Sequence, residues 1–308
     1  MNNGGETRGG GSSAWLRLVR VAALPTALAD VWLGAALVGR LFSVEALAVS
    51  GISLALYSAG MILNDVHDVA WDREHNAHRP LAAGEISRSA AATVGIVLLV
   101  LGVIGALFLG RTSFVVAASI AVAVLGYDFV LKSSPVGPAN MAVCRGLNVV
   151  LGLTIGAPLA ILFYLPAALP IVVYVAGITW LARFEADEQR RRGPLAIATA
   201  GGLLTAVLII ALQLRFTREA WGELVGFTAG PLVFLQAIFG LILLIVAGTV
   251  VRAIWLAGDV RKVVRALLLG IVPLQALVAL AHFRILGMVC ILGLLVPLFL
   301  LRRSSHVT

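Results

Sequence analysis

Residues 44–72 read VEALAVSGISLALYSAGMILNDVHDVAWD, an apolar run that passes without a break into Asn64-Asp65-Val66-His67-Asp68-Val69-Ala70-Trp71-Asp72. About 20 apolar residues in helical form cross the hydrocarbon core of a bilayer, so 44–64 reads as a membrane span with an acidic end. Asp65, Asp68 and Asp72 recur at i, i+3 and i+7, which stacks them on one helix face, and Asn64 lies one turn before Asp68 on that face.

The rest of the chain agrees with that solvent. Sixty per cent of the residues are apolar, 12% are charged and the mean hydropathy is +1.02. Soluble domains run near 45–50% apolar and about 25% charged, so lipid must cover this surface. Candidate spans are 21–40, 44–64, 89–110, 113–131, 141–162, 165–183, 194–213, 229–251, 263–282 and 285–301. Only Phe283-Arg284 separates the last two, so one of them can be re-entrant. The expected fold is all-α, a polytopic transmembrane helical bundle of nine or ten spans. A single membrane domain over 15–303 is expected between a Gly/Ser-rich disordered tail, 1–14, and a short tail, 304–308. Cys144 and Cys290 lie far apart in apolar runs, which gives no disulfide framework and no zinc knuckle.

The net charge of +8 would suggest nucleic acid in a soluble protein. Its distribution gives another reading. Alternating the spans from a cytoplasmic amino terminus leaves Arg40, Arg111, Arg215, Arg218 and Arg284 outside and the rest of the 23 basic residues inside. That is the positive-inside pattern of a multi-pass protein, expected in a bacterial inner membrane, with no nucleic acid and no obligate protein partner. The polar chemistry falls on the same side, in connections 65–88, 132–140, 184–193 and 252–262.

Three carboxylates on one stripe repel one another unless a cation lies among them. Mg²⁺ is the natural candidate, because it uses one or two carboxylates together with waters and substrate phosphates. The alternative is a solvated helix end, although acidic groups next to lipid are costly. Downstream, Arg79 precedes Pro80, which would hold a guanidinium on a stiff loop suited to phosphate; a positive-inside anchor is the other reading. His67, His75 and His78 do not have the spacing of a zinc site.

The run NDVHDVAWD followed by RPLAAGEIS at 79–87 resembles the first signature, NDxxDxxxD plus R-P-L-x-x-G-x-I-S, of the UbiA superfamily of intramembrane prenyltransferases. The resemblance covers most of the chain. It implies a helical bundle whose active site opens toward the cytoplasm and the bilayer, with Mg²⁺ and an allylic prenyl diphosphate as ligands. Asn64, Asp65, Asp68 and Asp72 would then serve the metal. Tyr127-Asp128-Phe129-Val130-Leu131-Lys132 is similar to the family's Tyr/Lys segment, with four residues between Tyr127 and Lys132 where three is commoner. Lys132 is accordingly expected at the diphosphate, with an interfacial lysine as its plainer reading.

Arg145 and Asn148 lie one turn apart inside an apolar span, so they should face protein or a watery cavity. Arg145 either binds phosphate or pairs with an acidic residue. Where the family carries a second DxxxD-type motif, this chain has Glu185-Ala186-Asp187-Glu188, read either as a second metal set or as a mixed-charge helix end. MAVCRGLN at 141–148, VAGITWLARFEA at 175–186 and Asp30 are similar to the UbiA-type proteins found in ebo-type gene clusters. Asp30 either orients or deprotonates the acceptor, or pairs with Arg145. The expected reaction is Mg²⁺-dependent transfer of a prenyl group to a small acceptor, aromatic compounds included. Asp30, Asn148 and Tyr127 are its candidate catalytic residues, and Arg79, Lys132 and Arg145 its diphosphate ligands. Two rivals are an ion-coupled transporter and a UbiA-fold enzyme that cyclises or hydrolyses the diphosphate.

Overall fold

In the computed structural model the described residues are 11–183, 202, 204–205, 207–211, 240, 248, 260–282 and 284–304. All regular structure among them is helical. The amino-terminal half holds α1 (Gly11–Leu18), a 3-10 turn (Val21–Ala23), α2 (Leu24–Leu37), α3 (Val44–His75), α4 (Arg88–Leu109), α5 (Arg111–Gly126) with a π-helical turn (Tyr127–Leu131), and α6 (Gly137–Leu153). There follow α7 (Pro158–Tyr164), a 3-10 turn (Leu165–Ala168) and α8 (Leu169–Ala182), then α9 (Val260–Leu269), α10 (Ile271–Ala281), α11 (Ile285–Gly293) and α12 (Leu295–Ser304). Among the described residues six helical stretches are long and apolar enough to cross a membrane, and Val21–Leu37 is a shorter apolar one. The protein is an integral membrane protein.

Position in the bundle follows from how much of each helix is covered. The most apolar window of α3 is 56% buried, and that of α4 only 17%. So α3 is interior, whereas α4 presents Ile96, Val100, Leu101, Ile104 and Phe108 outward, as a lipid-facing helix must. Lipid gives no hydrophobic drive for helices to associate, so tight backbone contact has to supply it. Here α2 crosses α6 at Gly34 and Gly152. A Cβ on Gly152 would lie 2.2 Å from the Val31 carbonyl oxygen, and one on Gly34 would lie 2.2 Å from that of Val149.

The span boundaries depart from the sequence reading in several places, with 263–282 interrupted at Gly270 and 285–301 at Leu294. The segment 141–162 is broken after Leu153, and residues 158–162 belong to α7. Pro158 has no amide to donate and starts a helix readily, so it opens the next element. The connection 65–88 is helical as far as His75, so only 76–87 is loop. At about 1.5 Å per residue, 44–63 spans about 30 Å, and the acidic part of α3 adds about 18 Å beyond the hydrocarbon core. Candidate spans 194–213 and 229–251 lie largely outside the described residues.

A small apolar cluster supports that projecting end. Ala14 and Leu18 of α1, Ile62 and Val69 of α3, Leu81 and Ile86 of the loop, and Ala91 of α4 pack together. Ser43 caps α3 and Ser87 caps α4, each hydroxyl accepting from a backbone N–H at 3.2 Å. Between them the loop closes on itself, with Ala83 N–H donating to Arg79 O at 2.8 Å and Glu85 N–H to Pro80 O at 2.9 Å. Gly84, at φ 75°, supplies the left-handed residue this turn needs.

Candidate active site

The acidic stripe of α3 forms two groups with different partners. Asp65 and Asp72 are 4% and 2% exposed, and both accept from Arg79, whose Nη1 is 2.8 Å from Asp72 and 3.4 Å from Asp65. Arg20 adds a second cation at Asp65, at 3.0 Å, and the Asn76 side chain donates to Asp72 at 2.9 Å. Such pairing is what two carboxylates this deeply buried require. Arg79 is therefore held against the stripe by its own loop, not left pointing into solvent.

Asp68 and Asn64 form the other group. The Lys132 ammonium pairs with Asp68 and donates to Asn64 Oδ1 at 2.8 Å, while Asn64 Nδ2 is 3.3 Å from Asp68. Two oxygens from adjacent turns thus already converge on one cationic point. Lys132 reaches it from the π-helical turn, whose Lys132 N–H donates to Tyr127 O at 2.9 Å. Tyr127 begins that turn, in the electrostatic field of Asp128, Asp68, Arg183 and Arg20. The guanidinium of Arg183 donates to the carbonyls of Ser133 and Ser134, at 2.9 and 2.6 Å, tying α8 to the segment after Lys132.

No three His, Cys, Asp or Glu side chains among the described residues converge as a closed metal cage. Mg²⁺ does not need one, since it keeps waters and shares substrate phosphates. The oxygen pair of Asn64 and Asp68, already filled by an ammonium, fits such an open site.

Asp30, Arg145 and Asn148 come together elsewhere, in the middle of the bundle. Asp30 is completely buried and meets Arg145 Nε at 2.9 Å, Asn148 Nδ2 at 3.3 Å and the Gln275 amide. Arg145 also donates to the Thr26 carbonyl at 2.7 Å, and Ser53 donates to Asn148 at 2.8 Å. These contacts join α2, α3, α6 and α10. The two readings of Arg145 thus part: its guanidinium pairs with Asp30 and makes no contact with the stripe. Glu185, Asp187 and Glu188 lie outside the described residues.

Arg20 and Gln275 are the partners that local pattern missed. Arg20 looked like one more topological charge, yet it sits in the left-handed region at φ 54°, ψ 51°. That backbone costs a non-glycine residue about 1–2 kcal/mol, offset here by the ion pair with Asp65. Gln275 is 245 residues from Asp30, and no spacing rule links them.

The sequence model described as the UbiA prenyltransferase family matches residues 22–268. A Digeranylgeranylglyceryl phosphate synthase from Ignicoccus hospitalis is 33% identical over 130 residues, which is 42% of this chain and 42% of that protein. One from Sulfurisphaera tokodaii is 25% identical over 142 residues, 45% and 51% of the two chains. The matched stretch thus spans about half, or less, of these relatives' length. In fold, the chain is similar to a UbiA homolog from Archaeoglobus fulgidus bound to DMAPP and Mg²⁺, with a TM-score of 0.64, 18% identity and coverage of 88% of this chain and 98% of that one. A UbiA homolog from Aeropyrum pernix K1 gives 0.61 and 21%, covering 85% and 96%. With the profile spanning most of the sequence and the bundle shared with these structures, the chain belongs to the UbiA prenyltransferase family.

Proposed function

We propose that this protein transfers a prenyl group from an allylic prenyl diphosphate to a small acceptor, in a Mg²⁺-dependent reaction at the membrane surface. The observation that carries this reading is the junction of α3 with the membrane boundary, where Asn64 and Asp68 converge on one cationic point while Arg79, Arg20 and Lys132 surround the stripe. Such a mixture of carboxylates and cations suits a ligand that is itself a metal-bound polyanion. Family membership and the diphosphate and Mg²⁺ named for the Archaeoglobus structure support it.

The chemical task is to break the bond between an allylic carbon and the diphosphate oxygen. Bound Mg²⁺, held by Asn64 and Asp68, supplies positive charge where negative charge develops on the leaving group. The chain's own residues do the rest. Lys132 leaves its carboxylate for phosphate oxygens, while Arg79 keeps Nη1 on Asp72 and turns its remaining N–H groups to phosphate, and Asp65 stays neutralised by Arg20. The isoprenoid tail lies along the apolar bundle, where the allylic cation meets the acceptor before water does. Tyr127 belongs to this side of the site. Glu185, Asp187 and Glu188 are proposed to serve a second cation. Asp30, Asn148 and Arg145 are proposed to brace the bundle and not to touch the diphosphate. The basic excess on the side of the stripe supports a cytoplasmic amino terminus and site.

The relatives' names point to an acceptor carrying a glyceryl phosphate; an aromatic acceptor is the alternative. Both are decided by one assay: labelled prenyl diphosphates and Mg²⁺ with purified protein, against a panel of glyceryl phosphate ethers and aromatic acids. The reading predicts a prenylated product from one acceptor class, lost in Asp68→Asn. Ion-coupled flux in liposomes with no prenylated product and no pyrophosphate release would overturn it in favour of a transporter.

A further inference from the structure

The Lys132 ammonium occupies the oxygen pair of Asn64 and Asp68 that the proposed Mg²⁺ would take. Both cations cannot hold it at once, so the lysine needs somewhere to go. The turn that carries it offers a place. Asp128 lies four residues before Lys132 in the π-helical turn, is 3% exposed, and its Oδ2 is buried with no hydrogen-bond partner among the described residues. An unpartnered buried carboxylate oxygen is costly and calls for an explanation. Among charged groups the Lys132 ammonium acts on it most strongly, ahead of Asp68, Asp65 and Arg20. The widened helical turn is also a feature that clusters at functional sites.

We propose that Asp128 is a positioning residue for Lys132, the second seat of its ammonium when a divalent cation binds at Asn64 and Asp68. The inference rests on the Mg²⁺–diphosphate reading of the site. In the free protein the ammonium neutralises Asp68. When Mg²⁺ arrives the ammonium moves to Asp128, pairs with its open oxygen, and from there directs a remaining N–H at the diphosphate. The site keeps its charges matched in both states. Nothing covalent changes; one cation exchanges with another on the same oxygens.

The test uses the full chain in lipid nanodiscs, with Mg²⁺ titrated by calorimetry in the absence of diphosphate. Removing the competing ammonium in Lys132→Met should tighten Mg²⁺ about tenfold, the scale of one close charge at a partly exposed site. Removing the second seat in Asp128→Asn should weaken Mg²⁺ about threefold, and this effect should vanish in the Lys132→Met background. A merely electrostatic or structural role of Asp128 would weaken Mg²⁺ equally in both backgrounds. With Mg²⁺ present, a non-reacting prenyl thiolodiphosphate should bind more weakly to both single variants, and Lys132→Arg should recover part of the loss. If wild type binds Mg²⁺ and the analogue but Lys132→Met leaves Mg²⁺ affinity unchanged or lower, the exchange is refuted and the site reading stands. If wild type binds neither, both fall together.

Discussion

Arg145→Met separates bundle bracing from substrate binding, because the two roles give opposite results. Among the described residues Arg145 is the cation facing Asp30, a completely buried carboxylate whose other partners there are the amides of Asn148 and Gln275. Removing one partner of a buried pair costs about 3–5 kcal/mol, because it leaves an uncompensated charge. At roughly 2 °C per kcal/mol for a chain of this size, the melting temperature in detergent should fall by roughly 6–10 °C. Asp30→Asn in the same background removes the stranded charge while keeping an amide for Gln275 and Asn148. The double variant should therefore recover more than half of the loss, a coupling of about 2 kcal/mol or more. Thermal unfolding of wild type, both single variants and the double variant measures this cycle, and binding of a prenyl thiolodiphosphate to the same samples at low temperature reads the other role. Unchanged stability together with a large loss of diphosphate affinity would refute the bracing role and return Arg145 to the substrate.

Other expectations follow from the same geometry. Gly152→Leu should abolish folded protein in detergent, since even a Cβ there would lie 2.2 Å from the Val31 carbonyl oxygen; a normal gel-filtration profile would contradict the close crossing of α2 and α6. Arg79→Lys keeps a charge that can replace Nη1 against Asp65 and Asp72 but loses the remaining guanidinium N–H groups that would grip phosphate; diphosphate KM should rise about tenfold with a smaller change in kcat. Arg17→Gln should shift the melting temperature by no more than about 2 °C, because its pair with Glu85 is partly exposed and such pairs contribute about 0–1 kcal/mol.

Much of the fold was legible because a bilayer imposes strict length and charge rules. The run 44–64 and the aspartates spaced after it indicated a helix, its solvent and its acidic face. What the sequence could not indicate was which cation each carboxylate takes. Asp65 and Asp72 look equivalent to Asp68 in spacing, yet loop 76–87 folds Arg79 onto the first two and the π-helical turn after α5 brings Lys132 to the third. The same spacing placed the acidic stretch on a helix as far as Asp72, but did not set where that helix ends, at His75. The pairing of Arg145 with Asp30 depends on α2 and α6 meeting at Gly34 and Gly152, a long-range contact that periodicity does not encode. Breaks at Pro158, and at Gly270 ahead of Pro273, had local signals that hydropathy windows smooth away.

The central claim is that the end of α3 binds a prenyl diphosphate through Mg²⁺. Its most direct measurement is calorimetric binding of a prenyl thiolodiphosphate to the nanodisc-embedded protein, with Mg²⁺ and with EDTA, for wild type and Asp68→Asn. The account predicts binding that requires Mg²⁺ and weakens about 100-fold, close to 3 kcal/mol, when Asp68 loses its charge. Equal affinity in EDTA, or equal affinity in Asp68→Asn, would contradict it.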